Sequence, residues 1–348
     1  MEIVRNGYTV TVSEGEVYVD NQARGRSGHM SHAMAEFAPG CFIDFNSNCS
    51  ALRADGHSTY GWIEYRISRD GGATYSEAKK LPYSVKEFED GVHTISVEKA
   101  VATDDGAIIA FCLRNDANNL LCCDNWDTPY AVISRDGGAT WEEPREVSPY
   151  AGRIYAALNY KGDIYFLESC SKTFFAAGAW CGKYRLFKST DGGESFSEVT
   201  NLPFDYFRRA YGAMIFDTEG SLHAYVYNET AERQLDHAVS RDGGETWELN
   251  PPCYMAKGIR NPQIALVNGV YVMHGRGANA RDFVLYTSTD AVKWDEGAYM
   301  EKKEVSGFYS NNLLLKDGDG ELLLIQNSQG YELSRVNVMH RTLRVKRG

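Results

Sequence analysis

Short apolar strands separated by glycine turns follow one another along this chain. The stretch "RIYAALNYKGDIYFLES" (153–169) shows the unit: an apolar strand, a turn carrying Gly162, and a second apolar strand. A variable loop follows, and then a third strand that runs into "KSTDGG". The same order returns in "GIRNPQIALVNGVYVMHGRG" followed by "RDFVLYTSTD". Runs of this length bounded by glycine turns read as β-strands joined in hairpins.

The third strand of each unit enters a repeated octapeptide. It reads "SRDGGATY" from Ser68, "SRDGGATW" from Ser134, "STDGGESF" from Ser189 and "SRDGGETW" from Ser240, with a worn copy, "STDAVKW", from Ser288. The opening serines lie 48–66 residues apart, near the length of one four-stranded propeller blade. The aspartate follows a strand end, where its carboxylate accepts backbone N–H groups. The Gly-Gly pair supplies the positive φ of a tight turn, and the final aromatic folds back on the blade. The octapeptide is therefore a folding staple at a hairpin and carries no catalysis. After the last copy come "FYSNNLLLKDGDGELLLIQNS" and a strand "GYELSRVNVM" with no box; "YTVTV" and "GEVYVD" at the start of the chain supply the missing strand. Five boxed blades and one composite blade predict an all-β, six-bladed β-propeller of four-stranded antiparallel blades. The N-terminal strand closes the last blade, and residues 1–348 form a single domain.

Composition alters this picture little. The chain of 348 residues is 43% hydrophobic and 24% charged, with 22 tyrosines and 33 glycines, as suits strands and turns. A net charge of -11 argues against nucleic acid as a partner, yet leaves room for a local basic pocket. The opening "MEIVRNGYTVTVSEGEVYVD" has no basic end followed by an apolar run, and no stretch approaches a membrane span. None of the eight cysteines, Cys122 and Cys123 included, has zinc spacing. These features predict free thiols, no membrane association and a cytoplasmic location, or a secreted one if a leader has been removed. His29, His32, Asp55 and His57 lack a metal motif, and neither metal nor cofactor is expected.

Candidate chemistry sits where inner strands reach the channel mouth. Counting nine residues back from the turn glycines Gly162, Gly220, Gly269 and Gly318 lands on Arg153, Tyr211, Arg260 and Tyr309, with Arg208 and Arg209 just before Tyr211. From Gly40 the count lands on Ser31, beside His29 and His32, and His93 opens the strand of blade 2. Guanidiniums converging on an axis repel one another unless an anion sits among them, and a carboxylate fits their fork. Carboxylates of neighbouring blades, Glu98 or Asp205, are the competing partners. The expected ligand is an acidic glycan or monosaccharide. Trp126, with Asp127, is a candidate rim residue, and Phe174, Phe175 and Trp180 are candidates for stacking on a sugar.

With these boxes the chain resembles the sialidase superfamily of six-bladed propellers over almost its whole length. The resemblance is sharpest at "GFYSNNLLLKDGDGELLLIQNSQGYELSRVNV", similar to the last sialidase blade, where an "AYSDL"-like motif carries a nucleophilic tyrosine. It implies Tyr309 as nucleophile, Arg281 or Arg276 in the clamp for the substrate carboxylate, and Asp55 of "LRADGHSTYGWIEYRISRDGG" as acid/base. Two family features are missing. The "(F/Y)RIP" arginine has no counterpart in "HMSHAMAEF", and the glutamate that pairs with the tyrosine is replaced in "RRAYGAMIF" by Tyr211 or its neighbours. Arg233 is a loose fit for the arginine of blade 4. Arg153, Arg209 and Arg260 form an alternative clamp, and Glu98 or Glu229 an alternative partner for Tyr309.

The resemblance implies an exo-acting glycoside hydrolase for a terminal acidic sugar, sialic acid or a relative. A phenol serves there because an anionic nucleophile would be repelled by a substrate carboxylate at the reacting carbon. Two alternatives remain open: a polysaccharide lyase using Tyr211 with His32 or His93 at a uronate, and a glycan-binding propeller without activity.

Overall fold

The computed structural model describes residues 1–50, 60–117, 126–170, 183–205, 208–278, 282–302, 308–329 and 335–348. Six antiparallel sheets follow in chain order. Their inner strands are Met34–Ala38, His93–Ala102, Arg153–Tyr160, Arg209–Phe216, Arg260–Val267 and Ser310–Asp317. Each inner strand touches the next, and the sixth touches the first, so the sheets close as a ring. This is the six-bladed propeller that the repeat predicts.

The sixth blade is composite. Tyr8–Val12 pairs with the third strand, Val338–Arg347, and Glu2–Arg5 adds outside it. Among the described residues that third strand runs beyond the end of "GYELSRVNVM" to Arg347, and Val338, Leu343 and Val345 bury their side chains along it. A helix, Pro82–Asp90, between blades 1 and 2 is absent from the strand-only expectation. Its signals are ordinary: Pro82 at the first helical position and Gly91 in the left-handed region (φ 71°) closing it.

Both faces of every sheet are buried against neighbours. A separate apolar cluster fills each of the six seams, for example Ile43, Ile63, Ile95, Ile108 and Val132 between blades 1 and 2. Burying side chains of this size contributes about 1.5–3 kcal/mol each. The seam between blades 6 and 1 has the smallest cluster: Met34, Phe42, Leu315 and Leu324. Polar contacts supplement it. His340 Nε2 lies 3.0 Å from the buried Asp44 carboxylate, Gln326 donates to the same group, and the Tyr18 ring stacks 3.7 Å from the His340 ring.

The boxes behave as staples. In blade 2, Ser134 Oγ donates to Asp136 and accepts the Gly138 N–H at 2.8 Å, while the Thr140 N–H (2.9 Å) and hydroxyl (2.6 Å) both reach the Asp136 carboxylate. The worn copy keeps the Ser288–Asp290 bond at 3.0 Å and holds Ala291 at φ 59°, where the others place glycine.

The hydroxyl donors Thr140, Ser195 and Thr246 hold Asp136, Asp191 and Asp242 down at about 2, from an ordinary 3.8. A depressed carboxylate stabilises the fold above its unfolded pKa, and that contribution is lost as pH falls through the folded value. The melting temperature should therefore fall between about pH 4 and pH 2. The double variant Asp136→Asn/Asp242→Asn should melt lower at neutral pH and show a shallower acid decline, read by circular dichroism.

Candidate active site at the axial mouth

β-Bulges aim the site. On the inner strand of blade 2, Lys99 faces Phe111 and Val97 faces Cys112, so Glu98 is the extra residue. Tyr155 is the extra residue in blade 3 and Tyr211 in blade 4, and the register also slips across Asn261 in blade 5. A bulge turns a side chain out of the alternating pattern, and bulges recur beside active sites. Ser31, Tyr211 and Asn261 have positive φ (64°, 58° and 49°), a conformation that costs a non-glycine residue about 1–3 kcal/mol.

The phenol of blade 6 is fixed from both sides of its backbone. The Tyr309 N–H donates to Ser328 Oγ at 2.9 Å, and the Ser328 N–H donates to the Tyr309 carbonyl at 2.8 Å. Tyr309 is only 4% exposed. The Arg276 guanidinium lies 4.6 Å from its ring centroid and the Arg153 guanidinium 5.8 Å. Arg276 Nη2 donates to the Tyr211 hydroxyl at 2.5 Å. Burial works to raise the Tyr211 pKa. Arg276, Tyr309, Arg153 and Arg260 outweigh it and hold the phenol below the ordinary 10.

Arg153, 1% exposed, pairs with Glu98 at 2.6 Å, the carboxylate named as its competing partner. Glu98 Oε1, Arg153 Nη1 and both ring nitrogens of His32 are buried without a well-formed protein hydrogen bond. Glu98, His32, Lys99, Tyr155, Asn261, Gln263 and Tyr309 line one cavity of about 20 Å³, room for a single water. Burial pushes the His32 imidazole down to about 3, so it is neutral. Burial likewise lowers Lys99 to about 7, with Glu98 opposing and Arg153 assisting; its ammonium donates to Gln263 and to Asn311.

The remaining sequence candidates lie around this cluster. Arg260 donates to the Tyr227 hydroxyl at 2.7 Å and lies 3.8 Å from Glu229 and 3.6 Å from Glu232. Glu229 accepts from the half-exposed Arg208 at 3.0 Å, which ties it to the rim. Arg209 pairs with Asp236 at 2.6 Å. His93 bonds Glu87 at 2.8 Å, with Asp127 at 3.4 Å and Arg114 beside it, a group separate from the cavity lining. Trp126 is buried and meets the Tyr155 ring edge-on at 6.5 Å. Asp55, His57, Cys122, Cys123, Phe174, Phe175, Trp180 and Arg281 lie outside the described residues.

Sequence reasoning missed Lys99, Tyr155, Asn261 and Gln263 as cavity residues. One signal was present. The adjacent charges Glu98 and Lys99 fall within the inner strand "HTISVEKAVA", and two neighbouring residues face one side only across a bulge.

Comparisons with known proteins agree with this architecture. A sequence profile of the BNR/Asp-box repeat matches residues 238–249, around the fourth box. No curated protein sequence matches the chain. Among solved structures, a Dyadobacter fermentans protein of unknown function superposes with a TM-score of 0.71 at 13% identity, covering 97% of this chain and 99% of its own. The Hadza microbial sialidase Hz136 gives 0.70 at 14% identity, over 96% of this chain and 68% of its own. A Trypanosoma rangeli sialidase in complex with sialic acid gives 0.64 at 12% identity, over 96% and 58%. The class these findings define is the Asp-box six-bladed propeller. Within it, the fold of the chain is similar to that of the sialidases among these structures.

Truncating Arg153 leaves Glu98 buried and uncompensated. Arg153→Met should cost about 3–5 kcal/mol in denaturant unfolding, and the paired change Arg153→Met/Glu98→Gln should recover most of that loss.

Proposed function

We propose that the protein is a glycoside hydrolase that removes a terminal acidic sugar, sialic acid or a close relative, with Tyr309 as nucleophile. The observation that carries this reading is the buried Tyr309 phenol, with the Arg276 guanidinium 4.6 Å and the Arg153 guanidinium 5.8 Å from its ring centroid. The resemblance to sialidases by fold, one of them bound to sialic acid, supports it.

The roles follow from charge. Arg276 and Arg260 meet the sugar carboxylate, with Arg281 as a third member from outside the described residues. Arg153 pairs with Glu98 at 2.6 Å, closer than Arg260 comes to Glu229 (3.8 Å) or Glu232 (3.6 Å), and so supplies less net charge to a ligand than Arg260 does. The Tyr309 oxygen attacks the anomeric carbon and the glycosidic oxygen leaves with its bonding pair. Asp55, also outside the described residues, is assigned as the acid that protonates the leaving oxygen. Water then attacks the same carbon and releases Tyr309. A covalent tyrosyl intermediate gives net retention.

Aryl glycosides of sialic and uronic acids test the reading directly. Colour release from the sialic acid series is expected. Tyr309→Phe should lower kcat about a thousandfold or more while binding of the free sugar changes little. An ultraviolet-absorbing unsaturated product from a uronate would identify a lyase instead, and binding without turnover would identify a glycan-binding propeller.

A further inference from the structure

Resting on the reading of the axial mouth as the site of an acidic sugar, we propose that a hollow on the rim of blade 4 is a second subsite, which holds the sugar chain on the leaving side of the scissile bond. The hollow measures about 390 Å³ and is lined by Ala231, Glu232, Arg233, Gln234, Tyr254 and Ala278. It lies on the same face as the mouth. Arg209, which opens the inner strand of blade 4, pairs with Asn228; Tyr227 pairs with Leu235, and Gln234 with Tyr254. Tyr254 therefore ends the outer strand, Glu248–Tyr254, at the same end of the blade as Arg209. Three strand spacings, about 14 Å, separate the two, the reach of an oligosaccharide rather than of one sugar.

One side chain belongs to both places. Glu232 lines the rim hollow, and its Oε1 accepts the Tyr227 hydroxyl at 2.8 Å and lies 3.6 Å from Arg260 Nη2 at the mouth. The Tyr227 oxygen in turn accepts Arg260 Nε at 2.7 Å. On a sugar whose carboxylate sits at the reacting carbon, the leaving oxygen departs from that same carbon. The leaving chain then starts beside the arginine that meets the carboxylate, and the Arg260–Tyr227–Glu232 chain leads from there to the rim. The lining is held by its backbone: the N–H groups of Gln234, Met255 and Ala278 donate to the carbonyls of Ala231 (2.7 Å), Arg233 (2.9 Å) and Lys257 (2.9 Å). A Cβ at Gly258 would come within 2.8 Å of both the Glu232 carbonyl oxygen and Ala278 Cβ, so this glycine lets blade 5 close against the blade 4 loop.

The side chains suit a sugar. Tyr254 is 62% exposed and offers an aromatic face to the C–H face of a ring. Arg233 and Gln234 are exposed beside it. The surface arginines Arg208 and Arg241 on the same blade each hold a glutamate, whereas among the described residues no carboxylate pairs with Arg233. Its guanidinium donates to sugar hydroxyls, and the Gln234 amide and Glu232 Oε2 supply the acceptors. Tyr254 also lines a second hollow of about 630 Å³, which continues past Pro251 and Pro252 along the same outer strand. Together they have room for several sugar rings.

Calorimetric titration of the Tyr309→Phe protein, in which turnover is suppressed, tests the subsite. Free sialic acid reaches only the mouth; sialyllacto-N-tetraose carries four sugars beyond the scissile bond. The longer ligand should bind about tenfold tighter. Tyr254→Ala should erase most of that ratio and Arg233→Ala part of it. Free sialic acid is the internal reference, since a merely structural role for either side chain would weaken both ligands alike. The inference is overturned if the two ligands bind equally, if the ratio survives both substitutions, or if both ligands weaken together. Loss of self-association in Tyr254→Ala with the ratio intact would mark the groove as a protein contact and overturn it too. Failure of the function reading looks different. Tyr309→Phe would then cleave normally, or the native protein would show the tenfold ratio without turnover, which leaves the subsite standing on a glycan-binding propeller. Binding of neither ligand would overturn both.

Discussion

Closure of the ring is the constraint on which the rest depends. Each sheet is apolar on both faces, so no blade is satisfied until it has a neighbour on each side, and the last neighbour of blade 6 is blade 1. That seam has the smallest apolar cluster of the six. It is completed by a buried carboxylate, Asp44, which burial pushes above its ordinary pKa against the pull of His340, Gln326 and Arg66. The N-terminal strand Tyr8–Val12 joins the same blade by pairing with the last strand. Closure brings six inner strands to one axis, and with them groups that would repel or be left unpartnered in an open array.

Given closure, the inner strands must present polar chemistry at one end and plain packing below it. The bulges achieve this by inserting one residue into a strand and leaving the remainder in regular alternation. Glu98, Tyr155 and Tyr211 are the inserted residues, on three successive blades. Their neighbourhood is unusual in charge. Arg153 is almost fully buried with its carboxylate partner, and Lys99 is buried among amides at a pKa of about 7. Burial of this kind is costly, and positive φ at Tyr211 and Asn261 adds to it. The seam clusters, made of aliphatic and aromatic side chains, offset that cost elsewhere in the ring.

The blade architecture was legible in the chain because boxes and turn glycines are local. Each box serine ends a third strand, and the glycine register led directly to Arg153, Tyr211, Arg260 and Tyr309. What was not legible is non-local. Nothing in "RRAYGAMIF" says that Tyr211 will meet Arg276 from the end of a different blade's second strand, or that Arg209 beside it will pair with Asp236. His93 shared the expected place at a strand start, yet a helix packed beside it supplies Glu87 as its partner. Spacing locates a residue on a strand; which charge neutralises it depends on three blades at once.

The central claim is that the guanidiniums and phenols at the axial mouth receive an acidic sugar. Crystals of the protein soaked with a free acidic monosaccharide test it most directly. The account predicts the sugar carboxylate on Arg276, with the anomeric carbon within attacking distance of the Tyr309 hydroxyl. A sugar seated away from the axis, with Arg276 and Tyr309 untouched, would contradict it.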